Sequence, residues 1–141
     1  MDARRQALTD ALAQEQQALL RIQADLAGAE QVQRKLQQTL PLLEQAAQAY
    51  DKLLKDGFVG EVAANEKKRD WVEKAQDLKA QDEAVRSLRA QIAQSQARLA
   101  GIRSQYRSQL ENERIDTQAQ LTRSVQELDK SRIRATSLEI R

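Results

Sequence analysis

From Leu8 the apolar positions return at alternating steps of four and three residues: Leu8, Leu12, Leu19, Ile22, Leu26, Ala29, Leu36, Leu40, Leu43, Ala47, Tyr50 and Leu54, with polar residues in phase only at Glu15 and Gln33. That alternation is a heptad seam, the stripe one helix presents to a partner helix over about six repeats. A second series runs through Val85, Leu88, Ile92, Ser95, Leu99, Ile102 and Tyr106. It continues by four-residue steps to Leu110, and later through Thr117, Leu121 and Val125, a drift toward an eleven-residue period that flattens the supercoil. Acid-first pairs four residues apart, Glu30 with Arg34, Asp51 with Lys55, Asp70 with Lys74 and Asp82 with Arg86, are expected to support helix on exposed faces. Asp82 and Glu83, off the seam, and the basic run Lys67, Lys68, Arg69 read as solvated helix face, and Trp71 as a side-packing residue.

The pattern breaks between Tyr50 and Gly60, in "YDKLLKDGFVG". Gly57 suits the left-handed residue that ends a helix, and Phe58 beyond it is placed to fold back on Leu53, as in a Schellman cap. Gly60 serves as the N-cap of the next helix, with Glu61 at the positive end of its dipole. Two helices joined by about three residues must run antiparallel. The expected fold is therefore all-α: a long antiparallel two-helix coiled-coil hairpin, with an ascending arm over 1–56, a tip turn over 57–60, a returning arm over 61–135 and an exit segment over 136–141. Pro41 sits inside the first seam, which keeps phase across it. The expectation is a first arm kinked or split there, with Thr39 capping a fresh start. If Leu54 lies across from Val62, the first residues oppose positions near 108. Arms of roughly 85 Å and 120 Å follow, and the stretch from about 110 to 141 has no partner in this chain. Such a remainder implies the borders of a longer protein, another subunit, or a further helix.

Composition narrows what such an object does. The chain of 141 residues is 31% charged and 3% aromatic, which leaves little to fill an ordinary globular core. A net charge of +2 with interspersed signs gives no broad footprint for nucleic acid. No apolar run approaches the ~20 residues that cross a bilayer, so the chain as written is expected to be soluble. Without Cys or His, disulfides and the usual zinc sites are excluded. A two-helix hairpin also offers no water-excluding pocket, so no catalytic residues, metal or cofactor are expected and the chain reads as no enzyme.

At the tip, Leu54 belongs to the seam but Leu53 is turned about 100° from it. Either Leu53 is satisfied by Phe58, or Leu53, Phe58 and Val59 form an apolar end that docks on another helical protein.

The run "YDKLLKDGFVG" resembles the hairpin tip of periplasmic adaptor proteins, also called membrane fusion proteins. Efflux members of that family carry an Arg, a Leu and a Ser that face the outer-membrane channel. Here the Leu position is Leu53, with Tyr50, Leu54 and Val59 in family-like places, while the Arg position holds Ala49 and the Ser position Gly60. The approach "LPLLEQ", the tip "LLKDGFV", the returning "VRSLRAQIAQSQARLAGIRSQYRSQLENE" and the terminal "ELDKSRIRATSLEIR" together resemble the HlyD-type adaptors of type I secretion over essentially the whole chain. The resemblance implies the periplasmic portion of a protein anchored in the inner membrane of a Gram-negative bacterium. It implies an ABC transporter partner reached through parts outside these residues, a lipoyl-like domain beyond Arg141, and other copies in a ring, hexameric in the full-length protein. It also implies a TolC-like outer-membrane channel engaged by the tip: Tyr50, Leu53, Leu54, Gly57, Phe58, Val59 and Gly60. The other reading the residues allow is a structural coiled-coil spacer or scaffold whose tip is only a tight turn.

Overall fold

The computed structural model describes residues 2–140, except the side chain of Ile140. Met1 and Arg141, the ends of the expected arm and exit segment, lie outside the described residues. Two helices make up the protein, α1 (Asp2–Lys55) and α2 (Glu61–Ile140), packed on each other as an antiparallel hairpin with no strand among the described residues. Residues 136–140 continue α2.

α1 runs unbroken through Pro41. Proline has no N–H to give the carbonyl of Gln37, a loss that normally breaks a helix. Pro41 and Gln37 both lie at exposed positions, however, where the loss costs least, while Leu36, Leu40 and Leu43 hold the packed face. Thr39 is not an N-cap: its hydroxyl donates back to the Lys35 carbonyl at 2.9 Å, the habit of a threonine inside a helix.

The contacts divide the chain into two units, Ala13–Arg98 and Met1–Leu12 with Leu99–Arg141. In the first, every seam position of α1 from Glu15 to Leu54 is buried or half-buried. On α2 the facing series begins at Ala64 and passes through Lys67, Trp71, Lys74, Leu78 and Gln81 to Val85, again at steps of three and four. Its apolar members are sparse, which is why the hydrophobic pattern alone does not reveal it. Ala64 (7% exposed), not Val62 (78%), occupies the seam beside Leu54. Lys67 is likewise half-buried rather than on a solvated face: its ammonium sits 5.3 Å from the centroid of the Tyr50 ring, with the aliphatic stem laid into the seam. Trp71 takes a seam position, half-buried.

Among the described residues, three hydrogen bonds tie the helices together. Gln33 Nε2 donates to Asp82 Oδ1 at 2.7 Å, Gln81 Nε2 to the Ala29 carbonyl at 2.9 Å, and Ser95 Oγ to Glu15 Oε1 at 2.8 Å. Asp82 is therefore a half-buried interface residue, not a solvated one. Arg86 pairs with Glu83 at 2.7 Å rather than with Asp82, and Glu30 faces Arg89 at 3.6 Å. Of the four expected pairs within a helix, Asp51 with Lys55 forms, at 3.4 Å. For Glu30 and Asp82 a cross-helix partner competes, because a half-buried acid gains more from a fixed partner than from a mobile neighbour on its own helix.

In the second unit Leu99 is buried, Leu8, Leu12, Ile102 and Tyr106 are half-buried, and Arg4 pairs with Glu113. Beyond Glu113 every residue of α2 whose side chain is described is exposed, including Leu121 and Leu128. No described helix is long and apolar enough to cross a membrane.

Candidate functional site

The tip is built from the end of α1 outward. The carbonyls of the last helical turn have no donors of their own, and residues 56–58 supply them. Asp56 N–H donates to Lys52 O at 3.1 Å, Gly57 N–H to Leu54 O at 3.1 Å and Phe58 N–H to Leu53 O at 2.9 Å. The last two bonds, with Gly57 at φ +80°, are the paired hydrogen bonds of a Schellman motif, and the left-handed residue they require is the one without a Cβ. The chain then enters α2 at Gly60, whose carbonyl accepts the Ala64 N–H at 3.2 Å, the first bond of the new helix. Gly60 is thus the N-cap. Glu61 sits in the first turn of α2 and Lys52 and Lys55 in the last turn of α1, each complementing its helix dipole.

The backbone of the cap follows the expected pattern. Phe58 keeps 77% of its surface exposed, so its ring is not buried against Leu53, itself 37% exposed. A cap closed by main-chain bonds does not require the side chain to be buried, and here the ring is mostly exposed. Val62, in the first turn of α2, adds a third exposed apolar group. Sequence reasoning placed Val62 in the seam and so missed it as a tip residue; the seam-phase Ala64 two residues on was the available signal.

The remaining tip residues separate by role. Leu54 is half-buried and lines a groove with Ala47, Ala64 and Trp71, and Tyr50 is half-buried beside Lys67. Both therefore brace the end of the hairpin from within. Val59 is half-buried at the turn, while Gly57 and Gly60 shape it. Leu53 and Phe58, with Val62, are the exposed apolar groups of the tip. Charges around them are mixed: Lys52 and Lys55 against Asp51, Asp56 and Glu61. Among the described residues no cluster of His, Cys, Asp or Glu is placed to hold a metal ion. Chemically, the tip offers apolar contact and unstrained shape.

No protein family, no curated protein and no solved structure matches this chain.

Proposed function

We propose that this chain is the helical hairpin of an HlyD-type periplasmic adaptor. In this reading it links an inner-membrane ABC transporter to a TolC-like outer-membrane channel during type I protein secretion. The observation that carries the reading is the exposed apolar end. Leu53 and Phe58 are joined by a main-chain bond of 2.9 Å and held at a turn of fixed geometry, yet neither is buried by the hairpin itself. Large apolar groups concentrated on such a rim mark a contact surface. The likeness of the sequence to adaptor tips then names the partner. A small tip contact holds when several hairpins engage one channel at once, because linked contacts multiply. The absence of the efflux-type Arg and Ser, replaced by Ala49 and Gly60, directs this tip to main-chain and apolar docking rather than to polar recognition.

The experiment is substitution and capture in secreting cells. Leu53→Asp is expected to leave helicity and expression intact while secretion is lost. A photoreactive residue at Phe58 or Val59 is expected to capture the outer-membrane channel. Normal secretion by a stably expressed Leu53→Asp protein, with crosslinks only between hairpins, would instead support the structural spacer. That second reading has its own observation, since the tip closes with its own backbone bonds and needs no partner to be formed.

A further inference from the structure

Below the tip, one flank of the hairpin is hollow. Ala47 and Leu54 take position a of the α1 heptad, and Ala64, Trp71 and Leu78 position a of the α2 heptad. Positions e and b of both helices then border one flank, which the contact of Glu30 with Arg89, both at e, marks directly. Near the tip a hollow of about 250 Å³ opens between the helices beside Ala47, Leu54, Ala64 and Trp71. A second begins at Trp71 and runs over Val72, Ala75 and Leu78. Trp71 lines both, so they make one groove, roughly 21 Å long from Ala64 to Leu78 at about 1.5 Å per residue. Ala47, Ala64 and Ala75 account for its depth, since each stands where a larger side chain would close it.

The floor is apolar and the two rims carry opposite charge. Between Gln37 and Leu54 the e and b positions of α1 are Pro41, Glu44, Gln48 and Asp51, two acids a heptad apart and no base. Between Ala64 and Lys79 those of α2 are Asn65, Lys68, Val72, Ala75 and Lys79, two bases and no acid. Glu44, half-buried, and the exposed Lys68 and Lys79 form no ion pair among the described residues, and Asp51 meets only Lys55 of its own helix, at 3.4 Å. An apolar floor between an acidic and a basic rim suits an amphipathic helix whose large side chains fill the spaces above the alanines.

A second copy does not carry the matching edges. The exposed stripe of α1, Val32, Leu42 and Leu53, is bordered on its outer side by Gln31, Gln38 and Gln45. The stripe of α2 through Leu121, Val125 and Leu128 is bordered by Thr122 and Asp129 on one side and Ser124 and Ser131 on the other. Neither border brings bases to the acidic rim.

We propose that the groove from Ala64 to Lys79 receives a helix of another protein. That helix has an apolar stripe of alternating three- and four-residue spacing, two bases seven residues apart facing Glu44 and Asp51, and acids facing Lys68 and Lys79. Unlike rims give the guest a direction, because turning it end for end exchanges its edges. The proposal does not rest on what the tip binds, and it holds for an adaptor and for a spacer alike.

Trp71 is the only tryptophan of the chain, so its emission reports on the groove without background. The probe is a synthetic peptide of three heptads with Leu at a and d, Lys at e and Glu at g, added to the full chain. Binding is expected to move Trp71 emission to the blue, saturably, and less so as salt is added. Glu44→Lys with Asp51→Lys makes both rims basic and should weaken binding about tenfold. Adding Lys68→Glu and Lys79→Glu exchanges the rims and should restore it, with the guest reversed; circular dichroism checks that each variant keeps its helices. Ala75→Glu, which fills the floor and leaves the rims alone, should abolish the shift. Emission that the peptide does not move overturns the proposal, and so does binding indifferent to reversal of one rim. A blue shift that grows with protein concentration in the absence of peptide also overturns it, because a second copy then fills the groove. Capture at Phe58 reads the tip instead, so failure of either result leaves the other intact.

Discussion

At the scale of single residues, glycine is worth opposite things at different places in this chain. Gly57 holds φ +80° and closes the tip; nothing lies within 4 Å of a Cβ built there, so the whole penalty of replacing it is backbone strain. Gly57→Ala is expected to destabilise the hairpin by about 1–2 kcal/mol, read as a lower urea midpoint. Gly28 and Gly101 sit inside helices with equally open surroundings. Alanine at either should stabilise by about 1 kcal/mol, since it removes backbone freedom from the unfolded chain. If all three substitutions move the midpoint the same way, the assignment of Gly57 as a cap is wrong. The role of Gly57 is legible in sequence because a glycine four residues past Leu53, followed by Phe58, is a pattern with one cheap conformation. The exposure of the Phe58 ring is not legible, since nothing in the spacing says how far a side chain at the turn is covered.

Between the helices, polar groups within the seam set the alignment. Ser95 is 2% exposed and its hydroxyl meets Glu15, with Arg98 at 3.9 Å from the same carboxylate. Ser95→Ala is expected to cost about 1 kcal/mol, and Glu15→Ala more, because it strands a buried hydroxyl. Glu15→Leu combined with Ser95→Ala replaces the pair by apolar contact and should unfold at no lower urea concentration than the parent. With Glu15→Leu also made alone, strictly additive effects of Glu15→Leu and Ser95→Ala would deny the coupling. What such a pair contributes is choice of register: a slide by one heptad buries Glu15 against an apolar residue. The in-phase Glu15, Gln33 and Ser95 were visible in the sequence as breaks in the pattern. Their partners were less so, because Asp82 stands one position beside the seam and Gln81 reaches a main-chain carbonyl. The stretch of α2 from Ala64 to Gln81 hides for a related reason: Lys67 and Lys74 are half-buried in the seam, a place a long methylene stem suits, yet a hydrophobic pattern scores them as surface.

For the molecule as a whole, the contrast within α2 is the main consequence. Around Val85, at 1% exposed, the helix is covered by α1; from Ile115 through Leu138 it is bare, with Leu121 at 64% and Leu128 at 62%. Isolated helices owe little to intrinsic propensity, and tertiary packing supplies most of their stability. Amide hydrogen exchange should therefore be fast between Ile115 and Leu138 and slow between Val85 and Ser95. Equal protection in both stretches would mean that the bare face is covered in solution. The amino-acid sequence by itself determined the helices, their antiparallel return at Gly57 to Gly60 and the seam of α1, because these follow from local spacing and from the one conformation glycine makes cheap. Tertiary structure alone decided that α1 continues as one helix through Pro41, which acids trade a neighbour on their own helix for one across the interface, and which apolar groups stay outside. Those outcomes depend on what stands opposite each residue, and a periodic pattern states which face a side chain takes without stating what it will find there.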